Sequence, residues 1–160
     1  SDRFLYRVSI ADVRTDGPFS RFDGYDRHIM LVAGEGMTLT GGPNGPIELR
    51  TLLQPASFSG DWDIEGTLHA GPVRDFNFMV DRARASSRME VRVLMAPEPF
   101  AVESGTICII HMIEGALRGT EQGETLVANT DFELEPLGRT RVALCWLTEE
   151  SPKPSKIPLG

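Results

Sequence analysis

The sequence predicts an all-β fold built as two barrel-like halves in tandem. Three observations carry that reading: apolar and polar side chains alternate with a period of two, 16 glycines and 11 prolines cut the chain into short runs, and no segment keeps a 3.6-residue period. Phe4, Tyr6, Val8 and Ile10 fall on one face of the first strand, with Leu5, Arg7, Ser9 and Ala11 on the other. Trp62, Ile64 and Leu68 alternate with Asp63, Glu65 and Thr67. Phe76, Phe78 and Val80 oppose Asp75, Asn77 and Met79, and Met89, Val91 and Val93 oppose Glu90, Arg92 and Leu94. Phe132 and Leu134 alternate with Glu133 and Glu135, and Val142, Leu144 and Trp146 close the pattern. The run Gly41 to Pro46 reads as a turn or loop, because its glycines permit positive φ and its prolines cannot continue a ladder. Asp81 to Arg88 reads either as one or two helical turns or as a polar loop before a strand at Met89.

The two halves are read from an internal echo. Met30 to Leu39 resembles Ile110 to Gly119, each an apolar strand, a glycine-bearing turn and a second strand. Two β units of roughly 75 to 80 residues fit a duplicated barrel, whose strands alternate inward and outward side chains. Residues 1–85 are expected to form the first half with a ligand pocket, and residues 86–150 a second half filled with Ile, Leu, Val and Trp side chains. The two make one compact body in which strands can exchange between halves. Residues 151–160 are expected to lie extended on the surface, since their prolines prevent sheet pairing.

Composition narrows the function classes. A chain of 160 residues buries about two thirds of its unfolded surface and folds without disulfides or metal. With 41% hydrophobic and 24% charged residues it is an ordinary globular sequence, not a disordered one. A net charge of −7 argues against a general nucleic-acid or anionic-membrane surface. The longest apolar run, Ile107 to Ile113, is interrupted by His111 and is too short to cross a bilayer. No signal-peptide pattern opens the chain, and the expected compartment is the cytoplasm. Cys108 and Cys145 sit in apolar strand-like runs and are read as buried reduced thiols, neither having the electropositive neighbourhood of a catalytic cysteine.

The densest chemistry lies in Arg7 to Val13 and Asp16 to Arg27, where a strand bearing Arg7 and Ser9 runs into a loop of turn formers, aromatics and paired charges. Phe19, Phe22 and Tyr25 either cap the barrel or wall a ligand site. At these residues the chain resembles the HutD/Ves family. The resemblance rests on Arg7-Val-Ser-Ile-Ala11, Asp16-Gly-Pro-Phe-Ser20, Phe22-x-Gly-x-Asp-Arg27, Phe58-x-Gly-Asp61, and Gly71 to Met79 with Arg82 following. Asp23 stands where that family usually has Pro, and the family's Gly-rich opening segment is not present.

The resemblance implies a cupin-like bicupin of the RmlC-type jelly roll. It also implies a regulatory or sensing role in histidine breakdown, with a small carboxylate such as urocanate or formylglutamate as ligand. The residues are compatible with that role. Arginine meets a carboxylate with two parallel hydrogen bonds, and Ser and Asn add neutral donors and acceptors. Arg7, Ser9, Ser20, Arg27, Asn77 and Arg82 supply this chemistry, with Arg7 read as the anion anchor because it lies mid-strand on the polar face. Phe19, Phe22 and Met79 complete the ligand-binding set. Asp26 and Asp75 either orient two of the arginines or form ordinary turn and salt-bridge contacts.

No cofactor or metal is expected. Metal-dependent cupins resemble one another in a His-x-His pair, a Glu and a later His, whereas His28, His69 and His111 are far apart here. His111 reads as a satisfied core histidine, and His69, close to the Gly71–Met79 motif, is kept as a site residue. Two other functions remain open: a metal-free cupin-type isomerase or epimerase using His69 with Asp75 or Asp61, and a protein-interaction module. Neither nucleic acid nor membrane is an expected partner, and a homodimer is an admissible assembly.

Overall fold

The computed structural model describes residues 3–150, so the expectation for residues 151–160 lies outside the described residues. Among the described residues fourteen strands follow one another: β1 (Tyr6–Val13), β2 (Gly17–Pro18), β3 (Tyr25–Ala33), β4 (Met37–Thr40), β5 (Ile47–Leu49), β6 (Ala56–Ser59), β7 (Glu65–Leu68), β8 (Val73–Asp81), β9 (Ala85–Leu94), β10 (Glu98–Phe100), β11 (Thr106–Glu114), β12 (Thr125–Ala128), β13 (Phe132–Leu134) and β14 (Thr140–Glu149). There is no α-helix among the described residues, and no helix long and apolar enough to cross a membrane. The Asp81 to Arg88 stretch is a tight turn, not a helix. Asp81 accepts the Arg84 amide on its carbonyl at 3.1 Å and the Ala83 amide on Oδ1 at 3.1 Å, so β9 starts at Ala85, well before Met89.

The ladders form four sheets in the orders β1-β8-β3-β6, β2-β7-β4-β5, β12-β11-β14-β9 and β10-β13. None closes on itself, so the expected barrel-like halves take the form of pairs of facing sheets. The strands of the smaller sheets run only two to four residues before glycine, proline or turn residues end them. One core fills the space between the first pair, with Ile29, Leu31, Met37, Leu39, Leu49, Phe58, Ile64 and Val73. A second, with Leu94, Phe100, Cys108, Ile110, Val142, Leu144 and Trp146, fills the other pair.

A third core lies between the two long sheets. Met30, Phe76, Phe78 and Val80 meet Ile109, Ala143, Cys145 and Leu147 there. The imidazoles of His28 and His111 are buried in this layer. His28 hydrogen-bonds Ser57 and Ser87, each at 2.8 Å, and stacks on Phe78; His111 hydrogen-bonds Thr125 at 2.9 Å and lies against Phe76. Burial lowers both pKa values and keeps the rings neutral. Cys108 and Cys145 are free and point into different cores; burial pushes the Cys108 thiol up to about 12 and raises that of Cys145 as well.

The echo between the halves is real, but its register differs from the sequence reading by one residue. β3 carries a bulge between Leu31 and Ala33 against β8, and β11 carries one between Met112 and Glu114 against β14. Each bulge precedes a glycine at positive φ, Gly34 at 107° and Gly115 at 86°, whose missing Cβ would lie 2.7 Å from the carbonyl oxygen of Pro72 or Arg139. Leu31 therefore corresponds to Met112, and Met30 to His111 instead of Ile110.

Because Phe78 stands in the layer shared by both long sheets, Phe78→Ala is expected to cost about 3–5 kcal/mol. Urea unfolding followed at Trp62 and at Trp146, in variants retaining one tryptophan each, should show both halves shifting to a common lower midpoint.

Candidate functional site

Register explains why polar side chains gather in the first half. β1 and β8 pair so that Arg7 lies opposite Met79, Ser9 opposite Asn77, and Ala11 opposite Asp75. These residues share the face turned toward the first-half core, while Tyr6, Val8, Phe76, Phe78 and Val80 pack in the central layer. The segment 14–22 crosses over this polar corner and is tied down at four points. Asp16 Oδ1 accepts the Leu68 amide at 2.8 Å, the Phe19 amide donates to Ile64 O at 2.8 Å, the Phe22 amide donates to Gly60 O at 2.9 Å, and Arg27 Nη1 donates to Ser20 O at 3.1 Å. Gly60 permits the close approach, since a Cβ there would lie 2.2 Å from Phe22 O.

The result is a cavity of about 470 Å³ between β1, β8 and this segment. Arg7, Ser9, Phe19, Ser20, Phe22, Arg27, Asp75, Asn77 and Met79, all singled out in the sequence, line it. Arg27 is its deepest cation, only 6% exposed. Its guanidinium lies 4.8 Å from the Phe58 ring centre and 5.2 Å from that of Phe22, and its Nε has no hydrogen-bond partner. Nη2 reaches Asn77 Oδ1 at a long 3.5 Å. Burial, together with the nearby charge of Arg7, lowers its pKa against the pull of Asp75, yet guanidinium stays charged at any ordinary pH.

Asp75 is 1% exposed and accepts Asn77 Nδ2 at 2.5 Å. Asn77 thus links Arg27 to Asp75, which make no direct ion pair. Burial pushes the Asp75 carboxyl up to about 6, outweighing the Asn77 hydrogen bond and the attraction of Arg27. Arg7 is exposed at the rim and makes no ion pair among the described residues, and Arg14 lines the same rim. Asp12, also in the lining, is held by Arg74 Nε at 2.9 Å.

Three residues expected in the site lie outside the cavity. Asp26 sits on the opposite face of β3 from Arg27, and Arg82 lies past the end of β8. They pair with each other: Arg82 donates to Asp26 Oδ1 at 2.8 Å, Asp61 Oδ2 at 3.1 Å, Tyr25 O at 3.0 Å and Ser59 Oγ at 2.8 Å, a clamp that ties the turn after β8 to β3 and β6. His69 follows β7 and meets Thr38 Oγ1 at 2.7 Å and Glu48 Oε2 at 3.6 Å; neither Asp61 nor Asp75 is its partner. Sequence reasoning missed Arg14, Thr15 and Pro18 as lining residues, because the period-two rule assigns no face once β1 has ended, and it missed Asp12 because that rule places it on the face of β1 away from Arg7 and Ser9. Asp16 did carry a signal, as the first residue of the Asp16–Ser20 motif. No three His, Cys, Asp or Glu side chains converge to hold a metal ion among the described residues.

The second half fills the matching position. Aligned on the bulges, Arg27 corresponds to Cys108, and Asp75, Asn77 and Met79 to Val142, Leu144 and Trp146. Arg7 and Ser9 correspond to Arg88 and Glu90. Here the charges are consumed locally: Arg88 lies 4.8 Å over the Trp146 ring, Trp146 Nε1 donates to Glu90 at 3.3 Å, and Arg92 pairs with Glu98.

Pairs of facing β-sheets in two similar halves give an all-β fold like that of cupin barrels. A cupin 2 conserved barrel domain protein from Leptotrichia buccalis shares the fold at 7% identity, with a TM-score of 0.50 over 93% of this chain and 86% of that one. The family is more specific: the HutD model matches residues 1–145, and the chain belongs to the HutD family. It is 36% identical over 91 residues to an uncharacterized 21.2 kDa protein in the hutC 3′ region of Pseudomonas putida, covering 56% of this chain and 46% of that protein. It is 32% identical over 114 residues to protein Ves of Citrobacter koseri, covering 71% of this chain and 57% of that protein. The chain thus spans about half the length of these curated relatives. Among solved structures it resembles HutD from Pseudomonas fluorescens SBW25, described in a formate condition, at 29% identity, TM-score 0.72, 92% of this chain and 81% of that one. A conserved protein of unknown function from Pseudomonas aeruginosa PAO1 has 25% identity and a TM-score of 0.77, covering 94% of this chain and 86% of that one.

The Asp75 environment leaves a signature in stability. Its carboxyl titrates near 3.8 in the ordinary case and near 6 in the fold, so between those values the folded chain holds a proton that the unfolded chain has released. The resulting stabilisation is complete below about 3.8 and lost as pH rises through about 6. Asp75→Asn cannot titrate. Wild-type stability minus variant stability should therefore fall by about 3 kcal/mol between about pH 4 and about pH 7, read from urea unfolding of both proteins; a pH-independent difference would contradict the assignment.

Proposed function

We propose that this chain is a metal-independent binding protein for a small carboxylate, with a jelly-roll bicupin architecture, serving a regulatory role in histidine degradation in the cytoplasm. Urocanate and formylglutamate are the proposed ligands. The observation that carries the reading is the Arg27 guanidinium. It is buried at the cavity wall with an unpartnered Nε, a long bond to Asn77 and no direct carboxylate. A buried cation with open donors is costly, and a carboxylate oxygen is the group that satisfies it best.

Arg7 and Arg14 at the rim add positive charge on the approach to Arg27 in a protein whose net charge is −7. Anion anchoring is therefore assigned to Arg27, with Arg7 as a rim contact. Two relatives support the setting: one lies in a hutC 3′ region, and the HutD structure from P. fluorescens is described in a formate condition, formate being the simplest carboxylate. The buried free thiols accord with a reducing compartment.

A thermal-shift panel of urocanate, formylglutamate, glutamate, formate and neutral sugars is expected to show stabilisation by carboxylates alone. In titration calorimetry, Arg27→Gln should weaken the best of them by on the order of a hundredfold or more, and Arg7→Ala by about tenfold. Folded Arg27→Gln protein with unchanged affinity would sink the proposal. A panel without any response would favour a protein-interaction module, and turnover of a metabolite would favour the isomerase or epimerase reading.

A further inference from the structure

We infer that Asp75 is a specificity-determining residue of this cavity: it holds a proton when the anion is bound, so the site takes up a carboxylate and a proton together and presents an acid O–H to a second oxygen of the ligand. This rests on the carboxylate-binding reading and adds what selects among carboxylates. The geometry is a three-member chain. Arg27 Nη2 donates to Asn77 Oδ1, and Asn77 Nδ2 donates to Asp75 Oδ1, so the cation and the acid face one cavity without touching each other.

Of the other charged groups around Asp75, Asp12 adds a smaller push in the same direction as burial, and the rest are committed or distant. On β1, Asp12 is paired with Arg74 of β8, and Arg7 stands exposed at the rim. On the crossing segment, Asp16 accepts the Leu68 amide and Arg14 lies at the rim. From β3, Arg27 is the cation that acts on Asp75. An anion seated on Arg27 would offset that attraction and place a second negative charge in the same 470 Å³ cavity. Two buried like charges sharing one site cannot both remain ionised at modest cost, and burial already pushes this carboxyl up to about 6. Protonation removes the conflict. It also turns a pure acceptor into a donor, which distinguishes a ligand with an extra carbonyl or carboxyl oxygen from one with a single carboxylate.

The test uses the whole chain and formylglutamate as probe, with formate as the single-carboxylate comparison. Calorimetric titrations at about pH 6.5 in buffers of different ionisation enthalpy count the protons exchanged on binding. Net uptake is expected for the wild type, with formylglutamate affinity falling by up to about tenfold per pH unit above the Asp75 range. Asp75→Asn keeps a donor but cannot titrate, and should bind without uptake and without that pH slope; formate should gain less from the donor than formylglutamate does. His28→Gln, which removes a titratable ring outside the cavity, should leave the uptake intact. Binding by the wild type with no proton uptake would overturn this inference alone, as would uptake that persists in Asp75→Asn. Absence of binding at every pH would remove the carboxylate reading and this inference with it. If Asp75→Asn fails to fold, Asp75→Ser takes its place as the variant that cannot titrate, with the same loss of uptake expected, and a wild type that binds without uptake overturns the inference whichever variant folds.

Discussion

Strand β8 is buried on both faces, and the two faces do opposite things. Phe76, Phe78 and Val80 enter the layer between the long sheets, and Asp75, Asn77 and Met79 turn toward the cavity. A strand buried twice over usually reads as a continuous apolar run. Here every second residue on the cavity side is polar or soft, and the cost of burying Asp75 and Asn77 is offset by the aromatic packing one residue away. The cavity's polar wall thus depends on the same strand that joins the two halves of the molecule, which places the site on a rigid element and not on a loop.

The duplication sharpens this point. Both halves share the bulged strand, the glycine after it and the long four-stranded sheet. They differ in what occupies the equivalent interior. Cys108, Val142, Leu144 and Trp146 fill one, and Arg88, Glu90, Arg92 and Glu98 neutralise one another beside it. In the other, Arg27 is buried without a direct anion and Arg7 is unpaired among the described residues. The long sheets of the two halves thus pair alike, with charges satisfied locally in one half and a buried guanidinium lacking a direct anion in the other. The His28 and His111 rings belong to the packing, each held by hydroxyl groups in the central layer.

Membership of the HutD family agrees with this asymmetry but does not choose the ligand. The relatives matched here extend well beyond the aligned region, with the chain covering 46% of one and 57% of the other. The cavity of this chain itself offers a buried guanidinium, an amide that links it to Asp75, and a carboxyl that burial pushes up to about 6.

The sequence by itself determined the all-β class, the polar face of β1 and β8, and most of the cavity wall. These follow from a period of two, which assigns a face to each residue as long as a strand continues. It also determined the internal echo, to within one residue. The tertiary structure decided what period cannot encode. Bulges at Leu31 and Met112 shift the register, so the true correspondence depends on backbone geometry. Asp26 and Arg82 share a sequence motif with cavity residues, yet Asp26 occupies the other face of its strand and Arg82 lies beyond the end of its own. Arg14 enters the lining only because the segment after β1 folds back over it. Above all, nothing in the sequence separates Arg7 from Arg27, two arginines on inward faces of strands. Only the packing of Phe22 and Phe58 around Arg27 removes it from water and leaves its Nε without a partner, and it is that desolvation which makes it the stronger candidate for an anion.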